Sequence, residues 1–280
     1  MIQEEREAAK KAAGVIRCAR KMNNLTQTDI SEMLKISQGT VSKVESGDLI
    51  LSSYHWMRFC EICGISMETI GTGYIEQFGY TQVTSNRRIG KFQLSARYAN
   101  NAGMKVRDFL PLIDALKNNL GEKDWKSFSK KRFKIDEDYF INLDHQLSFY
   151  FVQDLIEEMI NQHVEVSTEM IASSTSLEKL KKQISTLKSN PFDQIRFPDK
   201  YCRYLNGDFN LVPTDENEDR IHFKYIGKKH LNGFRVNQEL ANKYFQYKQQ
   251  FFAQLLRPLN IDLLDSNGLE GSFVAHIAHS

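Results

Sequence analysis

The chain has 280 residues, of which 41% are hydrophobic and 26% charged, with a formal net charge of +2. That is room for two domains, too apolar for a disordered chain, and too near neutral for a global field to draw it onto nucleic acid or membrane, so any such contact must come from a local patch. No run reaches the ~18 apolar residues of a membrane span, the charged start "MIQEEREAAKK" has no apolar leader core, and Cys18, Cys60, Cys63 and Cys202 are too few and scattered for a disulfide framework, so a reduced, cytoplasmic protein is expected.

Residues 5–22 read as a helix with Ala12, Val15, Ile16 and Ala19 on one stripe. Thr26 caps a second helix carrying Ile30, Met33 and Leu34, and Ser37 caps a third carrying Val41 and Val44. Gly47 ends the third, as glycine does just past a helix. Ser52 or Ser53 starts a fourth with Trp56, Met57, Phe59, Cys60 and Cys63, and a fifth is expected from Ser66 to Gln77. Five short helices make a compact all-α domain over 1–78. Cys60 and Cys63 lack a second ligand pair, so they read as small buried residues and not a metal or redox motif.

A linker follows at 79–91, "YTQVTSNRRIGK" lying within it. Beyond it, 92–280 reads as a larger α+β domain. Helices are expected at about 107–119, 122–132 and 145–162, and an amphipathic one at 175–189 with Leu177, Leu180, Ile184 and Leu187 in a stripe. "DQIRF", "FNLVPT" and "RIHFKYI" read as strands, the last with Ile221, Phe223 and Tyr225 on one face and His222 and Lys224 on the other. An aromatic-rich helix is expected at about 236–257. The end reads as two strands around Asn267-Gly268, a hairpin signal, completing a small antiparallel sheet.

"TQTDISEMLKISQGTVSKVESG", Thr26 to Gly47, places two short helices around one turn, as a helix-turn-helix does. Its second helix can enter a major groove about 12 Å wide. The outer face of that helix carries Gln38, Thr40 and Lys43, with Ser42 close by. Gln can bond adenine bidentately, Lys can donate to guanine, and the Thr methyl can touch a thymine methyl. These residues resemble the phage-repressor/Cro family of helix-turn-helix domains over about 12–65. The resemblance implies a positioning role for Gln27, contact positions at Gln38, Gly39, Thr40 and Lys43, and a backbone contact at Ser42. It also implies an ion pair of Arg20 with Glu45, and a core of Ile30, Leu34, Ile36, Val41 and Val44. There are three departures from the family. Gly39 replaces a longer polar reader, no proline follows the recognition helix, and Cys60 stands where Ala is usual.

The order of elements in the C-terminal region is similar to the effector-sensing domains of one group of AraC-type regulators, and also to sensing domains of the heme-NO-binding type. Such a resemblance implies a ligand pocket, with Phe149, Phe151, Tyr201, Tyr204, Phe223 and Tyr225 as its lining. For each of these residues, plain core packing is the competing reading. His145, His163, His222 and His230 stand in no recognisable ligation motif, so neither heme nor any other cofactor is expected, nor a metal. No nucleophile elbow, HExxH or phosphate-cradling glycine loop is present, so no enzyme is expected.

The function expected from the sequence is a sequence-specific, dimeric DNA-binding transcription regulator. Its partners would be double-stranded DNA, a second copy of the chain and a small-molecule effector, with no membrane. The competing expectation is a non-catalytic interaction module whose helical bundle leaves DNA alone.

Overall fold

The computed structural model describes residues 3–67, 69–75, 92–174, 177–178, 181, 192–196, 208–217, 219–231, 234 and 236–277. These fall into two compact units, Met1–Leu94 with Lys126–His145, and Ser95–Trp125 with Gln146–Ser280.

The first unit opens with α1 (Gln3–Met22), α2 (Gln27–Leu34), α3 (Gln38–Ser46) and α4 (Ser53–Cys63). Local bonds set their ends. Asp29 N donates to Thr26 Oγ1 at 3.1 Å while Thr26 N donates to the Asp29 carboxylate at 2.6 Å, a capping box closed by Asp. Ser37 Oγ accepts from Thr40 N at 3.0 Å, and Ser52 caps α4. Each such cap contributes ~1 kcal/mol. Lys35 turns the chain out of α2 with φ 55°, and Gly47 ends α3 with φ 82°.

Ile30, Leu34, Val41 and Val44 are at most 4% exposed and line one small core space with Ile16 and Phe59. Met33 and Met57, expected on the apolar faces, are instead 45% and 52% exposed. At ~100° per residue, Ile30, Leu34 and the buried Ser31 span one side of α2, and Met33 falls off its edge. A short α5 (Thr69–Thr72) stands where a helix over 66–77 was expected. The expected linker, 79–91, lies outside the described residues.

Lys126–His145 is the departure from the expected domain boundary. It was expected in the C-terminal domain, but it belongs to the first unit. It comprises the end of α8 (Glu122–Phe128), a π-helical turn Ser129–Phe133 where a continued α-helix was expected, and a 3-10 turn Glu137–Ile141. Lys21 Nζ lies 2.7 Å from both Asp136 and Asp138, and Ile141 Cδ1 sits where a Cβ on Gly14 would come within 2.7 Å. Ile75 N donates to Ile141 O and Leu143 N to Ile75 O, each at 2.9 Å. Ion pairs, one close backbone approach and a short bridge thus recruit this stretch.

His145 closes it. Its Nδ1–H donates to Tyr139 O at 2.7 Å, since a carbonyl can only accept, and its ring stacks on Tyr139. Nε2 is buried without a hydrogen-bond partner among the described residues. Burial pushes its pKa down to about 4. Folding therefore favours neutral His145. That stabilisation is complete above the unfolded value of ~6.5 and is lost as pH falls towards about 4, a contribution of ~2–3 kcal/mol. Urea unfolding at pH 7 and pH 4 should show the loss. His145→Gln should flatten this pH dependence, and an unaltered slope would place the acid lability elsewhere.

In the second unit, β1 (Met104–Lys105) pairs antiparallel with β2 (Gln146–Leu147), ahead of α9 (Phe149–Asn161). α6 (Ala96–Ala99) precedes β1, and α7 runs from Val106 to Leu120. Asp193–Arg196 is a helical turn, not the strand expected from "DQIRF". Most of 175–189 lies outside the described residues. The main sheet has order β3 (Phe209–Glu216), β4 (Arg220–Gly227), β6 (Glu270–Ile277), β5 (Leu259–Asn267), all antiparallel. Ile221, Phe223 and Tyr225 alternate inward, as expected for a half-buried strand. The long helix Gln238–Leu255 covers that face with Tyr244, Phe245 and Phe252. Lys248 lies on the same buried side. It is 0% exposed, ion-paired with the equally buried Asp108, and its Nζ sits 4.9–5.8 Å from the ring centroids of Phe251, Tyr247, Tyr244 and Tyr225.

Candidate nucleic-acid interface

A polar chain runs through the helix-turn-helix. Glu45, only 6% exposed near the end of α3, is its centre. Arg20 of α1 donates to it twice, Nε to Oε1 at 2.5 Å and Nη2 to Oε2 at 3.0 Å, and gives Nη1 to Leu25 O at 3.0 Å. One side chain thus ties α1, the entry to α2 and the end of α3. Gln27, the first residue of α2, donates Nε2 to Glu45 Oε2 at 2.9 Å. Gln38, the first residue of α3, donates Nε2 to Gln27 Oε1 at 2.7 Å.

The amide orientations follow from the partners. A carboxylate only accepts, so Gln27 must turn Nε2 to Glu45 and Oε1 to Gln38. Gln38 keeps its own Oε1 and one N–H for outside groups. Those are the two atoms a bidentate contact to adenine uses.

Gln38, Gly39, Ser42 and Lys43 are exposed, while Gln27 and Thr40 are partly so. The Thr40 hydroxyl lies 2.8 Å from that of Ser37, which leaves its methyl as the group free of the cap. A Cβ on Gly39 would meet only Ser37 Oγ, at 3.8 Å. The protein itself therefore does not demand glycine there, and the bare backbone allows close approach from outside.

Arg17 and Asp138 were not foreseen as part of this region. Arg17 Nε lies 3.0 and 3.1 Å from the two Asp138 oxygens, and its Nη1 donates to Glu45 O at 2.5 Å. Burial works against the Arg17 charge, but Asp138 more than offsets it and holds its pKa above the ordinary arginine value. Lys21 is likewise raised against burial by Asp138 and Asp136. Position offered a hint for Arg17, one turn before Arg20 on the same helix. Nothing local pointed to Asp138.

In the second unit, the ligand-lining candidates are closed core. Phe149, Phe151, Phe223 and Tyr225 are at most 1% exposed. Phe209 joins Phe149 and Tyr225, at 5.4 and 4.8 Å between ring centroids, and Phe223 stacks on Phe273. Phe151 instead packs against Tyr98 and Phe109. Tyr201 and Tyr204 lie outside the described residues. Cys60 and Cys63 are buried on α4, and burial pushes Cys63 up to about 12.

Residues 16–70 match the family model described as Helix-turn-helix and form a Cro/C1-type domain of that kind. Among solved structures, the chain is similar to an Fe(II) unliganded H-NOX protein from K. algicida. The identity is 12% and the TM-score 0.41, covering 63% of this chain and 98% of that one. A mutant of the same protein is similar at 12% identity and TM-score 0.40, covering 63% and 97%. No curated protein matches the chain.

Proposed function

We propose that this DNA-binding transcription regulator, built on a helix-turn-helix at residues 16–70, reads a two-fold operator as a homodimer. In this reading α3 lies in the major groove. Gln38, Thr40 and Lys43 face base edges, Ser42 meets the backbone, Gly39 allows close approach and Gln27 fixes Gln38. The observation that carries it is the Gln38–Gln27–Glu45 chain, which holds one amide outward with both its bonding atoms available.

The dimer rests on energetics. One such domain makes few phosphate contacts, and affinity grows with their number. Two copies placed by the C-terminal region would double them. Control by a small ligand in 92–280 is part of the same proposal. It is supported by the size of 92–280, which exceeds what pairing two helix-turn-helix copies requires.

Selection from a random duplex library should return an inverted repeat with half-sites about 34 Å apart, or a multiple of that. Log affinity should then fall with log salt by ~0.9 per phosphate contact. Binding without sequence preference, or footprints of a single half-site at every protein concentration, would overturn the dimeric reader.

A further inference from the structure

We propose that Asp138 is a positioning residue for the DNA-reading helix, acting through Arg17. The reading head is then complete only with a segment that the helix-turn-helix motif does not contain. The inference rests on the DNA-binding reading above and names how its site is held.

Arg17 is the link. It chelates the Asp138 carboxylate through Nε and Nη2 while Nη1 holds the carbonyl of Glu45. That carbonyl is among the last four of α3, which have no partner inside the helix. A guanidinium there also faces the negative end of the helix dipole. Glu45 is therefore gripped twice, its backbone oxygen by Arg17 and its carboxylate by Arg20 and Gln27. Any rotation of the end of α3 moves the carboxylate that orients Gln27, and Gln27 orients Gln38.

Asp138 is what fixes Arg17, whose side chain is 23% exposed and long enough to swing into water. Asp138 is itself immobilised, with its side chain 3% exposed. Lys21 Nζ donates to it at 2.7 Å, and its own N–H donates to Asp136 Oδ1 at 3.0 Å. Ile141 against Gly14 and the bridge of Asn142 to Ile75 hold the end of the turn. The position is thus built from several independent contacts, and a site left about 1 Å too loose is one that reads poorly.

The test uses the full chain as Asp138→Asn and as Arg17→Lys. Lysine keeps a cation beside Asp138 but cannot span to the Glu45 carbonyl as well. Dissociation constants are measured for the selected operator and for a scrambled duplex at one salt concentration, with melting curves to check folding. Operator affinity should fall ~5-fold or more, the low end of one base contact being worth about that, while scrambled-duplex affinity stays within about twofold. A purely structural role would lower both together, and that result, or an unchanged ratio in the folded variants, overturns the inference. A wild-type chain without sequence preference would remove the DNA-reading function along with it. Preference kept at full ratio in both variants would sink this inference alone.

Discussion

The double variant Gln38→Ala/Lys43→Ala is expected to bind its selected operator more weakly by ~2–6 kcal/mol, from ~1–3 for each base contact removed. The fold should survive. Both side chains are exposed, and the N-cap of α3 is made by Ser37 and Thr40, which are untouched. Removing Gln38 also releases Gln27 Oε1, but Gln27 keeps its bond to Glu45. The loss should therefore appear in specific affinity far more than in the melting temperature. Scrambled-duplex affinity should drop only by the one cation lost, read as a shallower salt slope. Titrations against operator and scrambled duplex measure both, and unchanged operator affinity would refute α3 as the reader.

Lys248→Ala should be the most damaging single substitution to stability, costing ~3–5 kcal/mol. It takes the Lys248 cation away from the Asp108 carboxylate, 0% exposed, and empties a space walled by four aromatic rings. The cost comes from burying the Asp108 charge without this cation more than from the worth of the pair. Asp108→Asn/Lys248→Met, which removes both charges and keeps most of the volume, should recover at least half of the loss, because neutral replacement of a buried pair is often harmless. Tyr247 Oη, which donates to Asp108 O at 2.8 Å, is untouched by either change. Urea unfolding of the three variants at pH 7 decides it. A double variant as unstable as the single one would show that cavity and packing dominate over charge.

The parts of the molecule legible in the sequence are those fixed by neighbours along the chain. Thr26, Ser37 and Ser52 cap their helices through bonds to residues three positions on, and Gly47 ends α3 at a positive φ that glycine tolerates. Asn267-Gly268 turns β5 into β6, and the alternation of Ile221, Phe223 and Tyr225 faces the covering helix. The helix-turn-helix belongs to this class, because its two helices meet over a handful of residues.

What the tertiary structure decided is the company these pieces keep. Asp138 and Arg17 meet across 121 positions, and Lys248 and Asp108 across 140, distances over which no periodicity survives. A lysine on an aromatic helix reads as its wet face until the opposing carboxylate is seen. The aromatic residues of the C-terminal region are as compatible with a pocket as with a core, and only packing makes Phe149, Phe223 and Tyr225 core. The sequence by itself thus determined a helix-turn-helix with its caps, turn and polar face. Only the tertiary structure decided that Lys126–His145 joins the same compact unit. Its hold is a set of long-range ion pairs, and opposite charges far apart in a chain carry no local mark of being partners.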